Sequence, residues 1–106
     1  MSKLLIAIIH ADDAASVAEA LREHGHRFTR LASSGGFLGS DNATFILGVE
    51  DQDEERVVAI IDRASRGREI ELPLVLLERL ADWKARTVTH GGATILIMDL
   101  ARIVRL

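Results

Sequence analysis

The chain has 106 residues, 13 Lys and Arg against 16 Asp and Glu, a net charge of −3 at pH 7 and no cysteine. This length predicts one domain, residues 1–106, with a single modest core burying roughly 60–70% of the unfolded surface. The absence of cysteine excludes disulfides and thiolate zinc sites, and the net negative charge argues against an electrostatic grip on a nucleic acid polymer.

From Lys3 to Ile9 the residues are almost all aliphatic, which predicts a strand buried on both faces. The run is too short for a signal-peptide core and turns polar at His10. No stretch approaches the ~20 apolar residues of a membrane span, so the expectation is a cytoplasmic protein without membrane insertion. Asp12 or Asp13 is placed to cap a helix whose apolar positions are Ala14, Val17, Ala18 and Leu21, with Gly25 stopping it. Next comes alternation, with Phe28, Arg30 and Ala32 on one side and Arg27, Thr29, Leu31 and Ser33 on the other, as in a strand. A loop of Ser33, Ser34, Gly35, Gly36, Gly39, Ser40, Asp41 and Asn42 follows, with Phe37 and Leu38 alone in its middle. Two large apolar side chains in such a loop either tuck onto the core or wait to be covered. Thr44 to Val49 is apolar and partly β-branched, a buried strand.

An acidic run, Glu50 to Glu55, opens a second helix with Val57, Val58, Ile60, Ile61 and Ala64 as its apolar stripe and Arg63, Arg66 and Arg68 at its end, as the macrodipole favours. Gly67 is suited to close it. Glu69 to Leu74 alternates like an edge strand containing Pro73. Leu76, Leu77, Leu80 and Trp83 then lie at helical spacing, predicting a short helix or an irregular arm over 74–84 whose large side chains are substantially buried, on the protomer or across an interface. Arg86 to His90 alternates again, Gly91-Gly92 marks a strand start or a bulge, and Ala93 to Met98 is an aliphatic strand. Asp99 to Val104 suggests a terminal helical turn. The order is the ferredoxin-like βαββαβ sandwich of an α+β protein, with an extra strand or arm before the last strand. Helices on one sheet face leave the other to be covered by an oligomer partner or by the Leu-rich arm.

Few residues suggest catalysis. His10, His24, His26 and His90 show no i, i+4 ligand spacing and read as surface or helix-end histidines. The carboxylates at Asp12-Asp13 and Glu50–Glu55 read as helix-start charges. No Gly-x-Ser-x-Gly elbow is present, and Gly35-Gly36 lacks the Lys-Ser/Thr of a phosphate loop. That loop remains either a wide hairpin turn or a set of N–H donors for an anion. The chain is expected not to be an enzyme and to need no cofactor or metal.

The stretch Arg27-Phe-Thr-Arg-Leu-Ala-Ser-Ser-Gly-Gly-Phe-Leu38, with Asn42-Ala-Thr-Phe-Ile-Leu-Gly-Val-Glu50, resembles the PII-like cyclic di-AMP receptor proteins of bacteria. Lys3 to Ile9, Arg68-Glu69 and Gly91-Gly-Ala-Thr94 extend the match along nearly the whole chain. The resemblance implies a PII-like homotrimer acting in signal transduction, with cyclic di-AMP bound in clefts between protomers and a downstream protein partner informed through loop ordering. It also implies roles. Arg27 reaches a phosphate, Thr29 bonds the ligand, Phe37 and Leu38 pack on an adenine, Asn42 bonds a base edge, and the backbone at Gly36 and Gly48 lines the pocket. Two positions depart from the pattern: Gly39 where the family carries a basic residue, and Ala43 where it carries Thr. The segment Leu74–Lys84 also replaces the family's Gly/Pro-rich loop. These departures keep two alternatives open, a sensor of another adenine nucleotide such as ATP and a structural or protein-interaction oligomer that binds no nucleotide.

Overall fold

The structure is a computed structural model, and it describes residues 1–31, 42–65, 74–90 and 92–106, with the backbone alone at Val88, Thr89 and His90. The aliphatic run at the start forms β1, Ser2–His10, and a 3-10 turn, Ala11–Asp13, leads into α1, Ala14–Glu23. The described strand after it is β2, Thr29–Leu31, which starts two residues later than the alternation suggested. Then come β3, Asn42–Glu50, a second 3-10 turn, Asp51–Asp53, and α2, Glu54–Ala64. The Leu-rich segment is a helix, α3, Leu74–Trp83, and the chain returns through β4, Arg86–His90, and β5, Ala93–Leu100.

The strands form one antiparallel sheet in the order β2-β3-β1-β5-β4. Four of them, β2-β3-β1-β5, have the ferredoxin-like arrangement, and β4 is the added strand. It turns back onto β5 through a two-residue hairpin, His90 pairing with Ala93 and Gly92 adopting φ +86°. Gly92, at positive φ, holds a conformation open to glycine, while Gly91 lies outside the described residues.

The two sheet faces are covered unequally. Leu5, Ala7 and Ile9 of β1, with Phe45 and Leu47 of β3 and Ile95 and Ile97 of β5, pack against Val17 and Leu21 of α1 and Val57, Ile60 and Ile61 of α2. Each fully buried Val, Leu, Ile or Phe side chain among them contributes roughly 1.5–3 kcal/mol. On the opposite face Ile8 and Leu96 are sealed by Leu76, with Ile6 and Leu80 half-buried beside them. Helix α3 covers only that end. Leu4, Ile46, Met98 and Leu100 stay half-buried on the same face.

Several local expectations are corrected. The turn before α1 is held by His10, whose Nδ1 accepts from the Asp12 N–H at 3.2 Å, and Asp13 at the N-cap makes no side-chain capping bond. Glu50 ends β3 instead of opening α2. Leu74 is helical, while the rest of the expected edge strand, 69–73, lies outside the described residues, as do Arg66, Gly67 and Arg68. The predicted terminal turn is absent, because β5 continues pairing with β1 as far as Leu100 opposite Ser2, and 102–106 has no regular structure. Leu76 is buried as predicted and Leu80 is half-buried. Leu77 and Trp83 are 47% and 41% exposed on the single chain, because α3 lays one stripe on the sheet, so their expected burial falls to an interface between chains.

Helix ends follow the expected chemistry. At the end of α1 the Gly25 N–H donates to Arg22 O at 3.0 Å and the His26 N–H to Leu21 O at 2.9 Å, with Gly25 at φ +77°. This is a Schellman arrangement. His24 bonds the Ala20 carbonyl through Nδ1 at 2.8 Å. Helix α2 ends on Ser65, whose Oγ donates to Ile61 O at 2.8 Å. Lys3 and Asp99, opposite each other on β1 and β5, form an ion pair and hydrogen bond that raises the lysine pKa and lowers that of the carboxyl.

Candidate functional site

Strand β2 lies at a sheet edge and pairs only with β3. Thr29 sits opposite Ile46 and Leu31 opposite Thr44, both on the face that the two large helices leave uncovered. Phe28 and Arg30 turn the other way. The Phe28 ring lies 5.1 Å from that of Phe45, with the Arg22 guanidinium 5.2 Å above it, and Arg30 is 6.0 Å from the Phe45 ring. This aromatic pair, with its cations, pins the start of β2 and leaves Arg27 and Thr29 exposed.

Beside Arg27 lies a cleft of about 270 Å³. Gly48 forms part of its wall, and so do His26, Ile103 and Arg105. Gly48 has its place for a steric reason. A Cβ there would come 3.0 Å from Ile103 Cδ1 and 3.4 Å from Ile103 Cγ1. The missing side chain lets Ile103 pack on the strand backbone, and this draws the tail that carries Arg105 across the end of β3. Two carboxylates also line the cleft. Glu50 accepts from Ser2 Oγ at 3.3 Å, and Asp53 faces Arg56 at 3.6 Å. Among the described residues neither Arg27 nor Arg105 has an ion-pair partner.

Of the residues singled out from sequence, the fold brings Arg27 and Gly48 to one cleft, with Thr29 one strand step along the same face. Asn42 begins β3 and shares that face. It is six residues from Gly48, about 20 Å at strand spacing. The glycine-rich loop leaves from Leu31 and returns at Asn42. Gly36, Phe37 and Leu38 lie outside the described residues, as does Gly39, and Ala43 is buried in the helix-side core. Sequence reading missed His26, Ile103 and Arg105. Their one signal was that Arg105 adds a cation to a short basic and aliphatic tail, Arg102-Ile-Val-Arg-Leu106.

A second groove of about 380 Å³ lies on the helix side between α2 and the β4–β5 edge. Its floor includes Val58, Ala59 and Ile97, and Glu54 there accepts from Arg86 at 2.7 Å. Among the described residues singled out for ligand binding, none lines it. Among the described residues no three metal-ligating side chains stand together, and no helix is long and apolar enough to cross a membrane.

Comparison with known proteins adds a family. Residues 2–106 match the family described as cyclic-di-AMP receptor. Among solved structures, a protein of unknown function from Pediococcus pentosaceus ATCC 25745 is 29% identical with a TM-score of 0.69, over 99% of this chain and 97% of that one. Arabidopsis thaliana PII, solved with citrate bound, is similar with a TM-score of 0.64 at 16% identity, over 99% of this chain and 80% of that one. The likeness to PII places the fold among PII-type ferredoxin-like sandwiches and says nothing by itself about ligand.

Proposed function

The chain belongs to the cyclic-di-AMP receptor family, and on that premise we propose that it is a homotrimeric sensor that binds cyclic di-AMP in clefts between protomers. The observation that carries this reading is the convergence of Arg27 and Gly48 on one cleft at the open edge of a sheet whose neighbouring face is aliphatic and only partly covered. A dianionic dinucleotide needs cations and N–H donors for its phosphates and flat apolar surface for its bases. Arg27 supplies the first. Phe37 and Leu38 supply the second, which accounts for two large apolar residues in a polar loop. Thr29 adds a hydroxyl beside the phosphates. Asn42, at the far end of β3, serves a base edge away from the Arg27 end. Half-buried Leu4, Ile46, Met98 and Leu100 are the surface through which protomers meet. Ligand orders the glycine-rich loop, and a downstream protein reads that order.

Calorimetric titration of three variants separates the roles. Arg27→Ala weakens cyclic di-AMP binding by about 1.5–3 kcal/mol and flattens its salt dependence. Phe37→Ala costs about 1–3 kcal/mol without changing the salt slope, and Asn42→Ala relaxes discrimination between adenine and guanine dinucleotides. Equal binding by all three variants and the parent would remove this site.

The interaction-module reading retains one specific observation. Leu74, Val75, Leu77 and Trp83 are exposed on α3, 69%, 54%, 47% and 41% respectively. They stand where the family carries a Gly/Pro-rich loop, so α3 is the surface on which this protein would hold a partner of its own.

A further inference from the structure

We propose that the outer edge of β4 and the groove beside it form a docking site for an extended segment of another protein that carries arginine or lysine at alternate positions. The site lies at the opposite sheet edge from the Arg27 cleft and does not rest on the nucleotide reading.

The groove between α2 and the β4–β5 edge, about 380 Å³, is within the size range of a binding site. Val58 and Ala59 of α2 and Ile97 of β5 give it an apolar floor. Glu55 and Asp62 stand above that floor on α2, two helical turns or about 10 Å apart along the axis. Glu54 is engaged by Arg86 at 2.7 Å, but among the described residues neither Glu55 nor Asp62 has an ion-pair partner. The second feature is the backbone. Among the described residues β4 pairs with β5 alone, so the outward N–H and C=O groups over 86–90 have no ladder partner. Such edges accept further strands unless proline or charge blocks them. β4 contains no proline, and Arg86 is its one Lys, Arg, Asp or Glu residue. That guanidinium is held against Glu54 on the helix side, so the edge keeps its backbone available.

Together the two features select one occupant. A strand added to β4 sits about 4.8 Å beyond it and turns every second side chain to the helix side. A side chain there must cross β4 to reach α2. An arginine or lysine does so, with its aliphatic stem over Val58 and Ala59 and its cationic head at Glu55 or Asp62. A short side chain falls short, and an acidic one is repelled. Main-chain hydrogen bonds thus provide the attachment, and the groove provides the preference for basic residues.

The test titrates a capped peptide of alternating arginine and valine, matched in length to β4, into the full chain while NMR follows the backbone amides. One control peptide has glutamate in place of arginine. The other is N-methylated throughout and donates no ladder bonds. Two double variants separate the groove from general attraction: Glu55→Gln with Asp62→Asn, and Glu19→Gln with Glu23→Gln on the exposed side of α1. Thermal melts check that both fold. The expected result is saturable binding of the arginine peptide, with amide shifts over 54–62, shifts and slowed exchange over 86–90, and no change at Thr29–Leu31. The groove variant binds about threefold to tenfold more weakly, the α1 variant binds like the parent, and neither control peptide binds. Any of four results overturns the proposal: no saturable binding up to millimolar peptide, shifts centred on β2, undiminished binding of the N-methylated peptide, or equal binding by the two double variants.

Discussion

Gly48 shows how one residue joins fold and site. Its need for glycine is not conformational. It comes from Ile103, whose Cδ1 occupies the space where a Cβ would be crowded at 3.0 Å. Gly48→Ala therefore has two available outcomes, strain or displacement. Ile103 belongs to a tail without regular structure and is itself half-buried, so displacement is the easier. The variant is expected to lose less than about 1 kcal/mol of stability, below the usual cost of overpacking, yet to bind ligand clearly more weakly because the tail moves off the cleft. Thermal melts and titration together check this. A large fall in melting temperature with unchanged binding would mean that Ile103 is a rigid anchor and that the cleft does not depend on it. None of this was legible in the sequence, since a glycine's steric partner at the far end of the chain leaves no local pattern. Strand alternation put Arg27 and Thr29 on one side, but only the family resemblance gave them roles, whereas His26 looked like an ordinary helix-end histidine.

At the scale of elements, aliphatic runs revealed the central strands and 3.6-residue spacing revealed α1 and α2, because those signals report burial against a single core. The tail was misread for a related reason. Leu100, Ile103 and Val104 have a spacing that suits a helical turn, but β1 still offers Ser2 as a pairing partner at Leu100, and ladder hydrogen bonds prevail. Helix α3 was ambiguous because its leucines serve two environments. Leu76 is 3% exposed against Ile8 and Leu96, while Leu77 is 47% exposed on the other side. Leu76→Ala should therefore destabilise by about 2–5 kcal/mol, the range for a buried leucine. Leu77→Ala should stay within about 0.5 kcal/mol. Urea denaturation monitored through Trp83 fluorescence measures both, and similar costs at the two positions would show that α3 is buried on both sides by an assembly.

For the whole molecule, the sheet poses the main physical problem. Among the described residues, β2 and β4 each pair on one side only, and the face opposite α1 and α2 is sealed at just one end. Association of like chains through that face would remove the exposure and create the clefts that a shared ligand would occupy. Light scattering at micromolar concentration should report about three protomers, and a stable monomer would leave the Arg27 cleft without a second wall. The α+β architecture was readable from element order alone, whereas assembly was not, because it depends on how completely α3 covers the second face. The central claim is that this chain senses cyclic di-AMP, and calorimetric titration of the unmodified protein at physiological salt tests it most directly. The expected result is saturable binding of cyclic di-AMP, clearly tighter than that of ATP or cyclic di-GMP. No heat of binding with cyclic di-AMP up to millimolar concentration would contradict it.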